Sequence, residues 1–170
     1  RSSDLSHKPG NIDVRHGFVF GGRTCDIIAW NERGSQKIVV CAVDPATCGL
    51  ESIDDGTIHT LGAYGGALYR SARTGAFYFF TTSKTGSIQQ YELFDNGRGR
   101  ISGKKVRAVT LSACEAAVAD DATGRLYVAA EKEGVVVFGA EPQDPDTGRL
   151  IAPVGSNNLC ADVEGLTVYP

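Results

Sequence analysis

With 170 residues the chain is long enough to bury a sizeable core, and 42% hydrophobic and 22% charged residues exclude a disordered or low-complexity protein. A net charge of −3 argues against bulk nucleic-acid affinity. No apolar run approaches the roughly eighteen residues of a membrane-spanning helix, and no signal-peptide apolar stretch opens the sequence.

In chain order the predicted elements are short strands. Cys25–Trp30 comes first, followed by Cys41 and Cys48, which bracket the turn Asp44–Thr47 closely enough for a disulfide to be geometrically plausible. Such a bridge would imply an oxidising compartment. Phe77–Thr82, Ser87–Leu93, Lys105–Leu111, Leu126–Ala130 and Val135–Phe138 are each of strand length, rich in Val, Ile, Tyr and Phe, and separated by Gly, Asp and Thr-Gly turns. None carries helical periodicity onward, and 21 glycines argue further against helix.

Fragments of one pattern return about every fifty residues. Asp13, Tyr64, Glu115 and Glu164, taken as openings of the copies, are separated by 51, 51 and 49 residues. Glu115–Asp120 is answered by Glu164–Tyr169, and Thr74–Tyr78 by Thr123–Tyr127. Three to four short antiparallel strands per unit is the pattern of a β-propeller blade; a Greek-key sandwich also has regular strands but predicts no such period. Residues 1–170 are thus expected to form one partial propeller of about three blades plus the start of a fourth. Closing the ring would take further blades, from the same polypeptide or another chain.

Several chemistries are excluded by inspection. The five cysteines include no Cys-x-x-Cys and no Cys/His pairing at zinc spacing, and His7, His16 and His59 are scattered. There is no Gly-x-Ser-x-Gly elbow. Gly99–Lys105 lacks the spacing and the Ser or Thr of a phosphate loop, and Asp144–Gly148 lacks the terminal Glu of a calcium loop. Arg98, Arg100, Lys104, Lys105 and Arg107 form a basic stretch without interleaved aromatics, which reads as a solvated hairpin.

What remains is the set of acidic and phenolic residues at the repeat openings. In a propeller the inner strands converge on a central channel, so Asp13, Tyr64, Glu115 and Glu164 should gather at one mouth of it. Asp162, two residues before Glu164, should share its face by strand alternation. Crowded carboxylates repel and are relieved either by a hard cation, calcium above all, or by pairing with Lys and Arg or capping turns. Arg33 and Lys84, each at the end of a predicted strand, add phosphate-binding character to that rim.

Asn11–Arg15, Asp26–Arg33, Tyr64–Tyr69, Gln90–Leu93, Ile101–Ala108, Ala119–Asp121, Gly124–Tyr127 and Asp162–Tyr169 together resemble the β-propeller phytases, calcium-dependent alkaline phosphatases acting on phytate. The similarity runs over nearly the whole chain. It implies an all-β, six-bladed propeller of four-stranded antiparallel blades, of which this chain is the middle portion. It implies several Ca²⁺ ions, with Glu115, Glu131, Asp162 and Glu164 as ligands of the catalytic cluster, and Asp13 with Asn11 as part of another calcium position. Arg33, Tyr64 and Lys84 are implied to hold the phosphates. Ala116 departs from the family, which has glycine there. The implied reaction is attack of a calcium-activated water on a phosphomonoester of calcium phytate. A secreted or periplasmic, monomeric bacterial-type protein, without nucleic-acid or membrane partners, follows from the same likeness. The alternative is an incomplete propeller that binds calcium and phosphorylated ligands, or acts as a scaffold, without turnover.

Overall fold

The computed structural model describes residues 8–169, and among them there are strands and no helix. The first sheet comprises β1 (Pro9–Phe20), β2 (Arg23–Glu32), β3 (Lys37–Val43) and β4 (Leu50–Ser52). The second comprises β5 (Ala63–Arg70), β6 (Phe77–Ser83), β7 (Ser87–Asp95) and β8 (Ile101–Thr110). The third comprises β9 (Cys114–Asp120), β10 (Arg125–Ala130), β11 (Gly134–Gly139) and β12 (Arg149–Pro153). Each is a four-stranded antiparallel meander paired in chain order.

Local chemistry explains the hairpins. Gly21 and Gly22 both take positive φ (57° and 73°), as a two-residue turn between twisted strands requires. The matched Thr-Gly pairs fall at one and the same connection in successive sheets, β5 to β6 and β9 to β10. There the Ser71 hydroxyl accepts the Arg73 and Thr74 amides, and the Asp120 carboxylate accepts those of Ala122 and Thr123.

β6 is buried along its whole length because the second sheet is covered on both faces. Strand alternation divides its side chains between two cores. Phe77 and Phe79 pack with Phe18, Ile27 and Ile38 of the first sheet, the Phe18 and Phe77 rings meeting edge to face at 5.0 Å. Tyr78 and Phe80 pack with Leu126, Val128 and Phe138 of the third. β1 runs beside β5 and β5 beside β9, so first strands neighbour first strands while the other strands step outward. These are the blades of a β-propeller; a two-sheet sandwich has no such middle layer.

Polar ties reinforce the contact between the second and third sheets. Glu141, buried in the connection from β11 to β12, accepts the Tyr69 and Ser71 hydroxyls at 2.7 Å each. Burial first, then the hydrogen bond to Glu141, pushes the Tyr69 phenol well above its ordinary range. Arg107 donates to Asp146 and to the carbonyls of Gly139, Glu141 and Pro145, pinning the same connection. The basic stretch is therefore only partly a solvated hairpin, since Arg107 is buried as a clamp and Arg100 donates to the Ser52 carbonyl.

Two features differ from the sequence reading. All five cysteines are free: Cys41 is buried on β3, where desolvation pushes its thiol up to about 11, while Cys48 is exposed in the turn. Residues 161–169 form no strand, since a strand requires ladder partners and none of the described residues pairs with them. The segment packs instead through Val163 and Leu166 on the third sheet. His7 lies outside the described residues.

Candidate functional site

In every sheet the first strand begins and the second ends at the same rim, as the pairs Pro9↔Glu32, Ala63↔Ser83 and Cys114↔Ala130 establish. Arg33, Lys84 and Glu131 are therefore equivalent, each the first residue beyond the second strand. Each first strand also carries one extra residue just inside this rim, because three steps along it (9 to 12, 63 to 66, 114 to 117) match two on its partner. That is a β-bulge, a device that turns a side chain away from the ordinary pleat. Tyr64 and Glu115 occupy equivalent bulge positions, and Gly10–Asn11 fills the same place in the first sheet.

The predicted phosphate-holding residues come together. The Arg33 guanidinium carbon lies 5.2 Å and the Lys84 ammonium 4.4 Å from the centroid of the Tyr64 ring. Lys84 is raised above the ordinary lysine value, first by the neighbouring Tyr64 phenol and further by Glu131 and Glu115, while partial desolvation opposes the shift. Two cations over one phenol repel one another, and an anion placed between them relieves that repulsion.

A carboxylate group adjoins them. Glu115 and Glu131 are half-buried, and neither carboxylate has a hydrogen-bond or ion-pair partner among the described residues. Glu131 also anchors the next segment, its carbonyl accepting the amides of Asp162 (2.6 Å) and Val163 (3.3 Å). Val163 is buried against Ala116 and Ala129, which leaves the neighbouring Glu164 exposed. The carboxylates of Asp162 and Glu164 likewise have no partner among the described residues. Asp162 takes a left-handed backbone (φ 73°), which interrupts the alternation used to assign it the same face as Glu164.

Asp13 is not at the opening of its repeat. It lies four residues inside β1, where its carboxylate accepts the Arg15 guanidinium and Val14 amide at 2.8 Å and the Leu68 amide at 2.9 Å. Arg15 continues to Asp121 and the Ala119 carbonyl of the third sheet, so Asp13 belongs to a structural ion network. The register aligns Gly10, not Asp13, with Tyr64 and Glu115. Asn11, exposed in the bulge, stays at the rim.

As a test for calcium, the donor chemistry fits: Glu115, Glu131, Asp162 and Glu164 offer hard oxygens with no competing partner among the described residues. No group of three or more His, Cys, Asp or Glu side chains is gathered as a ready cage among those residues.

Sequence reasoning passed over three residues that shape the rim. Glu32, 3% exposed, accepts the amides of Lys8 and Gly34 at 2.9 Å and that of Ser35, and so builds the turn that carries Arg33. Asn31 and Thr82, each fully buried just before the rim end of its strand, tie neighbouring sheets together. The available signal was a polar residue closing an apolar run.

A family model described as Phytase matches residues 3–170. The chain is 41% identical over 170 residues to a 3-phytase of Bacillus subtilis (strain 168), an alignment covering 95% of this chain and 44% of that relative. It thus spans less than half the length of the relative. Among solved structures, the Dos1 propeller aligns with a TM-score of 0.46 at 13% identity, covering 89% of this chain and 37% of that one.

Proposed function

The chain belongs to the phytase family, and from that premise we propose that the whole protein hydrolyses phytate, myo-inositol hexakisphosphate, to inorganic phosphate and lower inositol phosphates with the help of calcium. The observation that carries this reading is the convergence of Arg33 and Lys84 on the Tyr64 ring, beside the unpartnered carboxylates of Glu115 and Glu131. Such a rim suits a substrate whose many phosphates need cations on one side and metal on the other.

The roles follow from side-chain chemistry. Arg33 offers a planar fork of donors to two phosphoryl oxygens, and Lys84 supplies a mobile point charge. Tyr64 holds both near one ring and presents its hydroxyl to the same space. Glu115, Glu131, Asp162 and Glu164 are the residues that would hold Ca²⁺, with Asn11 at the neighbouring position on the rim. Calcium, when bound, supplies positive charge that neutralises the phosphoryl oxygens and makes water a better nucleophile. We assign Asp13 no metal role, because its oxygens are engaged by Arg15 and Leu68. A secreted or periplasmic location and a monomeric full-length protein belong to the same proposal.

Steady-state phosphate release by the full-length protein tests the substrate-holding pair. Arg33→Ala and Lys84→Ala are each expected to lower kcat/KM for phytate by about 10-fold to 100-fold, the loss of roughly one charge-assisted contact. Unchanged kcat/KM in both variants would contradict the assignment, and a folded wild-type protein that binds phytate without turnover would favour the scaffold reading.

A further inference from the structure

The two halves of the rim, Tyr64 with Lys84 and Glu115 with Glu131, lie on different sheets, and their spacing is set by how closely β5 approaches β9. Two side chains span that junction: the Cys114 thiol donates to the Ser83 carbonyl at 3.6 Å, and Thr82 makes the shorter bond in the other direction. Thr82 is fully buried on β6, two residues before Lys84. Its hydroxyl donates to the Glu115 carbonyl at 2.5 Å and accepts the Gly65 amide at 3.0 Å. A hydroxyl has a single proton to give, so the direction of both bonds is determined.

The groups it joins are the backbones of the rim itself. Glu115 is the carboxylate residue whose carbonyl Thr82 holds, and Gly65 directly follows Tyr64. On its other side the Gly65 carbonyl accepts the Asn31 amide at 2.7 Å, and Asn31 also donates to the Thr81 hydroxyl at 3.2 Å. Asn31 sits two residues before Arg33 as Thr82 sits two before Lys84. Gly65 is thereby held by Asn31 of the first sheet and by Thr82 of its own sheet, whose hydroxyl in turn reaches the third sheet at the Glu115 carbonyl. In the third sheet the equivalent residue is Ala129, which packs on Ala116 and Val163 without a polar tie.

We infer that Thr82 is a positioning residue for the reaction: its hydroxyl fixes the distance between the phosphate-holding side chains Tyr64 and Lys84 and the calcium-holding Glu115. This rests on the phytase reading of the rim. Thr82 touches neither substrate nor metal; it acts through the Gly65 and Glu115 backbones. Loss of the hydroxyl leaves a buried amide and a buried carbonyl without partners, and the two half-sites drift relative to one another. Displacement of about 1 Å at a reacting centre costs rate far more than it costs binding.

The test compares full-length wild type with Thr82→Val, which keeps shape and loses the hydroxyl, Thr82→Ser, which keeps the hydroxyl, and Phe18→Leu, a core change remote from the rim. Phosphate release from phytate, thermal unfolding and hydrogen exchange at the Gly65 amide are measured on all four. Thr82→Val is expected to lower kcat about 10-fold to 100-fold with KM within about 3-fold, and to speed Gly65 exchange, while Thr82→Ser stays near wild type. Phe18→Leu is expected to lose thermal stability with kcat retained. Wild-type kcat in Thr82→Val, or an equal kcat loss in Phe18→Leu, overturns the inference. If wild type releases no phosphate, the phytase reading is what fails. The hold of the Thr82 hydroxyl on Gly65 is then judged at that amide alone, where faster exchange in Thr82→Val upholds it and unchanged exchange overturns it.

Discussion

Glu32 illustrates how one residue can be misjudged from sequence. A glutamate at a strand end, followed by Arg33 and Gly34, reads as solvent-facing, yet its carboxylate is buried under three amides. Burial by itself would raise its pKa; the hydrogen bonds from Ser35, Gly34 and Lys8 outweigh that and pull it from about 4.5 to about 2. Because the folded value is the lower one, the stabilisation is complete above about pH 4.5 and is lost as pH falls through about 2. Glu32→Gln is expected to cost about 2 kcal/mol at neutral pH, from weaker hydrogen bonds and an amide group directed at amide donors. Urea unfolding checks it: the gap between variant and wild type should narrow between about pH 4.5 and pH 2, and a pH-independent gap would contradict this account. The meeting of Arg33, Tyr64 and Lys84 at one rim was legible because strand ends and the repeat can be read from sequence. The facing of Asp162 was not legible, since a left-handed backbone cannot be inferred from alternation.

Among the elements, the shared bulges set Tyr64 and Glu115 at the rim, and they explain both what the repeat revealed and what it concealed. Tyr64 and Glu115 are equivalent in sequence and in register. Asp13 fell into line with them at a spacing of 51 residues, but the pairing Pro9↔Glu32 moves the true equivalent to Gly10. The first repeat is therefore three residues longer than the spacing suggested, and the alignment at Asp13 was a coincidence of period. Gly65 and Ala116, at the same register position of successive sheets, have different surroundings. A Cβ on Gly65 would stand 1.8 Å from the Glu115 carbonyl oxygen, a backbone atom that cannot swing aside. Ala116, at the same register position one sheet later, faces the side chains of Ala129 and Val163 and packs on them. Gly65→Ala is accordingly expected to destabilise the protein by about 1–3 kcal/mol and to force β5 away from β9. Thermal unfolding together with phytate turnover checks this, and a variant with native stability and native kcat would show the contact to be looser than described.

For the molecule as a whole, the blade architecture was legible because β-sheet alternation and Thr-Gly turns are local signals. The burial of all of β6 was not, since its Thr81, Thr82 and Ser83 look like a strand emerging into solvent until both neighbouring sheets are in place. The same limit applies to the candidate site, whose residues come from three sheets: only packing reveals that Thr82 and Asn31 bond to the Gly65 and Glu115 backbones beside Tyr64. We propose that these blades present a calcium-dependent phosphate-releasing rim. Its most direct test is phosphate release from phytate by the full-length protein, before and after chelation, with Glu115→Gln and Glu131→Gln in parallel. Release should stop with chelator, return when calcium is restored, and fall in both variants by about 100-fold or more, as loss of a ligating carboxylate implies. Undiminished release in chelator, or from the two variants, would contradict it.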